Sequence, residues 1–191
     1  MTSHLGGTTS SQGNVPVRTG SPLVTVCIPT YNRPAYLREA LDSVLRQTYV
    51  DFELRIYDNG STQDGAGLVA AIGDDRVRYF RNRRDIGAAS NWIRALTEAD
   101  SRYCALLSDD DWWEPTILES LLWPLERDST IDVAFCDHHV IDHAGRLMPE
   151  AADDFSRRFG RASLRAGLHR PFVALALDRQ SIPISAALIR H

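Results

Sequence analysis

Two rhythms of apolar spacing alternate along this chain. Short runs of β-branched and apolar residues read as buried strands, and the stretches between them repeat apolar positions at helical spacing. "LVTVCI", Leu23 to Ile28, predicts a strand closed by Pro29. The next segment, "RPAYLREALDSVLRQT", carries Leu37, Ala40, Leu41, Val44 and Leu45 on one helical face, with Pro34 suited to a first helical turn. Phe52 to Tyr57 is a second strand, ended by the turn formers "DNGSTQDG" before a helix near Leu68 to Ile72. Arg76 to Phe80 and Gly87 to Ala99 repeat the unit, the helix burying Trp92, Ala95, Leu96 and Ala99.

"YCALL" is a fourth strand, and a helix from about Pro115 runs through "TILESLLWPLE", bent or broken at Pro124. "DVAFCDHHVID" predicts a fifth strand, with "DHAGRL" turning into a short partner, and "SIPISAALIR" a last one. "EAADDFSRRFGRASLRAG" has no clean period and reads as a loosely packed excursion. Strands alternating with helices imply an α/β fold: a mostly parallel sheet with helices on both faces. No internal repeat is present.

The 191 residues and 43% hydrophobic content suit one domain, residues 22–191. Residues 1–21, rich in Gly, Ser and Thr, are expected to form a flexible tail. That tail lacks the pattern of a signal peptide, and no stretch approaches the roughly 18 apolar residues of a membrane span, so a cytoplasmic protein is expected. The net charge of -4 gives no basic field for a nucleic acid. Cys27, Cys104 and Cys136 sit in apolar runs without CxxC spacing and read as reduced core residues.

In open α/β sheets ligands collect at the carboxyl ends of the strands, which here read "PTYNRP", "DNGST", "RNRRDIG" and "SDDDWW". Neither GxGxxG nor GxxxxGK[ST] occurs, which removes the usual dinucleotide and NTPase phosphate loops. Asp109, Asp110 and Asp111 offer an alternative. Two like charges about 4 Å apart repel by roughly 4 kcal/mol at an effective dielectric of 20, a cost that a bound Mg²⁺ or Mn²⁺ relieves. A diphosphate would complete the ion's coordination.

Asp58, at the end of the second strand, is either a ligand to ribose or base, or ordinary Asp-Asn-Gly turn chemistry. Tyr31 could stack on a base and Thr30 and Asn32 could hydrogen-bond to it, with Asn32 also suited to cap the helix that follows. Arg81, Arg83 and Arg84 read as a solvated basic face. His138 and His139 would point to opposite faces of a strand, which argues against a zinc site in "DHHVIDH". Trp112 and Trp113 are expected to pack the following helix.

Taken in order, "VTVCIPTYNRPAYLREALDSVLRQTY", "FELRIYDNGSTQDG", "RNRRDIGAASNWIRAL" and "ALLSDDDWWEP" resemble the family 2 glycosyltransferases of GT-A fold, a Rossmann-like sheet, over about Leu23 to Arg190. The resemblance implies an inverting transfer of sugar from a nucleotide-diphosphate donor, of UDP or dTDP type, to an acceptor hydroxyl, with Mn²⁺ or Mg²⁺. It places Pro29, Thr30 and Tyr31 around the base, Arg33 beside them, Asp58 against base or ribose, and Gly87 and Asn91 on a segment skirting the nucleotide. Asp109 would face the ribose, with Asp110 the leading metal ligand and Asp111 adjacent. Ser108 stands where the family more often has an acid. The family's general base lies in a later acidic motif that is not found here, which leaves a nucleotide-sugar-binding module without turnover as the alternative.

Overall fold

The computed structural model describes residues 22–170 and 173–191; the predicted tail, residues 1–21, lies outside them. Six strands form one sheet in the order β3-β2-β1-β4-β6-β5. They are β1 (Val24–Thr30), β2 (Phe52–Asp58), β3 (Val77–Arg81), β4 (Tyr103–Leu106), β5 (Val133–Phe135) and β6 (Ala187–Arg190). β1 pairs in parallel with both β2 and β4, and β2 with β3. β6 runs antiparallel between β4 and β5, so the sheet is mostly parallel with one reversed strand.

β1 is buried along its whole length, because helices cover both of its faces. On one face Val24, Val26 and Ile28 meet Leu37 and Leu41 of α1 (Pro34–Leu45) and Leu118, Leu122 and Leu125 of α4 (Ile117–Arg127) in the main core. On the other, Cys27 and Cys104 pack with Ala95 of α3 (Ala88–Thr97) and with Tyr57. The cysteines are free thiols, two buried and Cys136 half-buried. α2 (Gly65–Ile72) starts at Asp64, whose carboxylate accepts from Gly67 N, and stops at Gly73 in the left-handed region, φ 64°.

Several predicted elements change extent. Pro29 lies inside β1, since the β1–β4 register ends at Cys27 and a missing N–H beyond it breaks no ladder. α4 continues through Pro124. The fifth strand shrinks to Val133–Phe135, and its turn survives as an isolated antiparallel bridge, Ile141 with Leu147. The last strand loses its first half to a 3-10 turn at Ile184–Ala186 that follows Pro183. The supposed excursion contains a helix, α5 (Pro149–Arg158). Its only buried residue is Ser156, so there was no apolar stripe to announce it.

Trp113 fills the core as predicted and donates its indole N–H to Ser185 O at 2.6 Å, whereas Trp112 is exposed. The helix-α1 terminus pins the segment after it: Thr48 N donates to Pro115 O at 2.8 Å, Gln47 Nε2 to Glu114 O at 2.7 Å, and Leu118 N to Gln47 Oε1 at 3.1 Å. The loop Ser108–Asp111 is therefore held between β4 and a rigid anchor.

Candidate functional site

The carboxyl ends of β1, β2, β3 and β4 converge, because the four strands are parallel and adjacent. At the end of β1, Thr30 donates its hydroxyl to Asp109 Oδ2 at 2.8 Å, a buried bond across 79 residues of sequence. Arg33 reaches the same loop, with Nη1 2.8 Å from Asp110 Oδ2 and 3.5 Å from Asp109 Oδ1. Asp110 and Arg33 are each about half exposed, at 50% and 51% of their side-chain surface, while Asp109 is buried. Burial pushes the Asp109 carboxyl above the ordinary carboxylate range against the pull of Thr30 and Arg33. The protein packed around Asp111 raises it as well, aided by the Asp110 charge, although its surface still reaches solvent.

The three neighbours thus have different settings. Asp109 is tied to β1, Asp110 projects to solvent, and Asp111 donates its backbone N–H to Ser108 O at 3.1 Å. Ser108, in the slot where an acid was the commoner pattern, accepts from Ser185 Oγ at 3.2 Å and so ties the loop to the segment before β6.

Asp58 is 1% exposed, and both of its oxygens are engaged. Ser61 N donates to Oδ1 at 2.7 Å, the Tyr79 hydroxyl donates to Oδ2, and Arg81 Nε stands 3.8 Å from that same oxygen. The turn reading of Asp58 is therefore realised, and the same pocket holds Thr30, Asn32, Arg33, Ser61 and Gly65 around it. Burial, then the bond to Asp58, raises the Tyr79 phenol well above its usual value.

Asn32 does not cap α1. The cap position is Arg33, without a side-chain bond, and Asn32 sits in the left-handed region at φ 56°. Its Oδ1 accepts from Thr62 N at 2.7 Å, and its N–H donates to Ser61 Oγ at 2.8 Å, so it staples the β1 loop to the β2 loop. Tyr31 is exposed beside it, and Pro29 is buried in the strand.

Gly87 caps α3 at φ 85°, its N–H on Asp85 Oδ1 at 2.7 Å. Asn91 is buried: Nδ2 donates to Tyr57 O at 2.7 Å and Oδ1 accepts from Asn82 Nδ2 at 3.0 Å. Asn82 also donates to Asn59 Oδ1 at 2.9 Å, and Asn59 Nδ2 donates to Asp85 Oδ1 at 2.5 Å. This amide network fixes the segment around the site. Sequence reasoning passed over Asn59, Asn82, Asp85, Tyr79 and Ser185; the first three were visible only as polar residues at strand ends. Of the basic cluster, Arg81 bonds Ser61 O, whereas Arg83 and Arg84 lie on the exposed face as expected.

Residues 25–171 match the model of glycosyl transferase family 2. The chain belongs to that family. Among family relatives, an uncharacterized glycosyltransferase of Methanocaldococcus jannaschii is 31% identical over 133 residues, 68% of this chain and 46% of that protein. One from Rickettsia typhi is 32% identical over 65% of this chain and 39% of its own length. The chondroitin synthase of Pasteurella multocida is 31% identical over 71% of this chain and 14% of that protein. The chain spans less than half the length of each of these relatives.

Solved structures share the fold. Mannosyltransferase PcManGT from Pyrobaculum calidifontis, in complex with GDP-Man and Mn²⁺, superposes with a TM-score of 0.56 at 24% identity, over 71% of this chain and 39% of that one. TarS residues 1–349 of S. aureus in complex with UDP-GlcNAc gives 0.53 at 22%, over 58% and 32%. The sheet is thus that of a GT-A glycosyltransferase, as the sequence resemblance implied. No described helix is long and apolar enough to cross a membrane.

Proposed function

We propose that this chain is the donor-binding domain of an inverting glycosyltransferase, taking a nucleotide-diphosphate sugar of UDP or dTDP type and passing the sugar to an acceptor hydroxyl. The observation that carries the reading is the meeting of Thr30 and Arg33 with Asp109 and Asp110 at the ends of adjacent parallel strands. Family membership supports it, as do structural relatives solved with UDP-GlcNAc and with GDP-Man.

In this reading Pro29, Thr30, Tyr31 and Arg33 border the base, and Asp58 shapes the base or ribose pocket through the turn it holds. Gly87 and Asn91 shape the segment alongside the nucleotide. Asp109, fixed by Thr30, faces the ribose, and Asp110, unburied, meets the diphosphate end. Asn32, stapling two of these loops, keeps the pocket in shape before any ligand arrives.

The residues fit a divalent cation. Among the described residues no three His, Cys, Asp or Glu side chains converge to form a cage, and Mn²⁺ or Mg²⁺ bound with phosphates needs only one or two carboxylates. Asp110 would hold the ion with Asp111 nearby, and Asp110 already faces a cation in the Arg33 guanidinium. Such an ion supplies charge neutralisation for the departing diphosphate. Both partners of the Arg33–Asp110 pair reach solvent, so Asp110 can release the guanidinium at small cost. Inversion requires a carboxylate to take the acceptor proton, and none of the described residues is assigned that role.

The test is turnover. Incubated with Mn²⁺ and a UDP- or dTDP-sugar, the chain is expected to release nucleotide by transfer or slow donor hydrolysis. Tight Mn²⁺-dependent nucleotide binding with no release from any donor would identify a binding module instead.

A further inference from the structure

A second cavity lies apart from the pocket at the strand ends. A cleft of about 1020 Å³ opens along the edge strand β5, between α4 and residues 161–170. Leu121, Ile131, Val133 and Leu164 give it an apolar wall, and Arg161 and Arg165 line it as well.

Arg161 is the unusual member. Its side chain is 5% exposed, its Nε donates to Asp137 Oδ1 at 3.2 Å, and its guanidinium lies over the Phe159 ring, 5.6 Å from the centroid. Its Nη2 is buried and has no hydrogen-bond partner among the described residues. Asp137 also accepts from Ser156 Oγ at 3.1 Å and from His138 N at 3.0 Å. An unpaired donor on a buried cation is costly, and an anion entering from the cleft, with the guanidinium turned toward it, would satisfy it with a charge-assisted bond. The second basic group of the wall, Arg165, is exposed, and Arg170 at the same cleft is tied to Thr130 Oγ1 at 2.8 Å.

We propose that this cleft is a second binding site, separate from the donor pocket, for a molecule joining an apolar body to an anionic group such as phosphate, with the anion seated on Arg161. The aliphatic wall takes the body and the guanidinium takes the charge.

Calorimetric titration of the whole chain with hexyl phosphate, inorganic phosphate and 1-hexanol tests this. Hexyl phosphate is expected to bind at least about tenfold more tightly than either fragment. Arg161→Met should bring hexyl phosphate down to the level of 1-hexanol, and Asp137, itself largely solvent-exposed, tolerates the loss of its partner. Leu164→Trp, which crowds the apolar wall, should weaken hexyl phosphate and 1-hexanol alike. Hexyl phosphate binding no tighter than 1-hexanol, or unchanged in a cooperatively melting Arg161→Met, overturns the proposal. Binding equal to that of inorganic phosphate overturns its apolar half. If Arg161→Met does not fold, unchanged binding in Leu164→Trp decides against it. A parallel titration with UDP and Mn²⁺ reads the donor pocket alone, so a failure there leaves this result standing.

Discussion

Asp109, Asp110 and Asp111 are adjacent in sequence but differ in burial and in partners. Burial raises Asp109, so its folded-state pKa exceeds the unfolded one. The folded chain then holds more protons through that window, and the stability this gives is full below the unfolded pKa and lost as pH rises through the folded one. Asp109→Asn, which removes the buried ionisation, is expected to melt higher than the parent at neutral pH, with the difference vanishing under acid. Melting curves across pH 3–7 check the sign, and a gain that persists at the acid end would refute the assignment to ionisation. That polar residues at the ends of neighbouring parallel strands would meet was legible in the sequence. The partners were not. Asn32 seemed a cap and is a staple between loops, since a bond to Thr62 depends on tertiary placement that no local spacing encodes.

Loops and helices set the tolerances of the site. Gly60, in the β2 loop, has φ 81°, and a Cβ there would stand 2.7 Å from the backbone carbon of Arg84. Gly60→Ala combines a left-handed alanine with a backbone collision, and is expected to destabilise by at least about 1–3 kcal/mol and to displace the β3–α3 segment. Denaturant unfolding measures the first, and loss of nucleotide affinity the second. Asn91 belongs to the same scale: Asn91→Leu removes the side-chain donor to the buried Tyr57 O and one of the two acceptors of Asn82, and should cost about 1–3 kcal/mol. A loss under about 0.5 kcal/mol would show that the amide network is dispensable. Elements with a strong apolar period, such as α1 and β2, were readable from sequence. α5 was not, because it buries a serine against Asp137 and carries its phenylalanine outward. The short β5 was overextended because apolar residues continue past it in "DVAFCDHHVID", yet its ladder with β6 ends at Phe135.

At the scale of the molecule, sheet order is what makes one site from four separate loops. β1 and β4 are neighbours despite the two strand–helix units between them, which brings Thr30 to Asp109. Strand–helix alternation predicted the parallel part of the sheet, but not the antiparallel insertion of β6 between β4 and β5, which comes from the end of the chain. That insertion carries Ser185 to the acidic loop and Arg190 to Tyr103. The result is a rigid frame from which Asp110 projects, and its ion pair with Arg33 is solvent-exposed and contributes little to folding. The most direct measurement is therefore the thermal shift produced by UDP, dTDP or GDP with and without Mn²⁺, in the parent chain and in Asp110→Ala. The parent should be stabilised by at least one of these nucleotides only when Mn²⁺ is present, and Asp110→Ala should lose that shift while its ligand-free stability stays within about 0.5 kcal/mol. An undiminished Mn²⁺-dependent shift in Asp110→Ala would contradict the account.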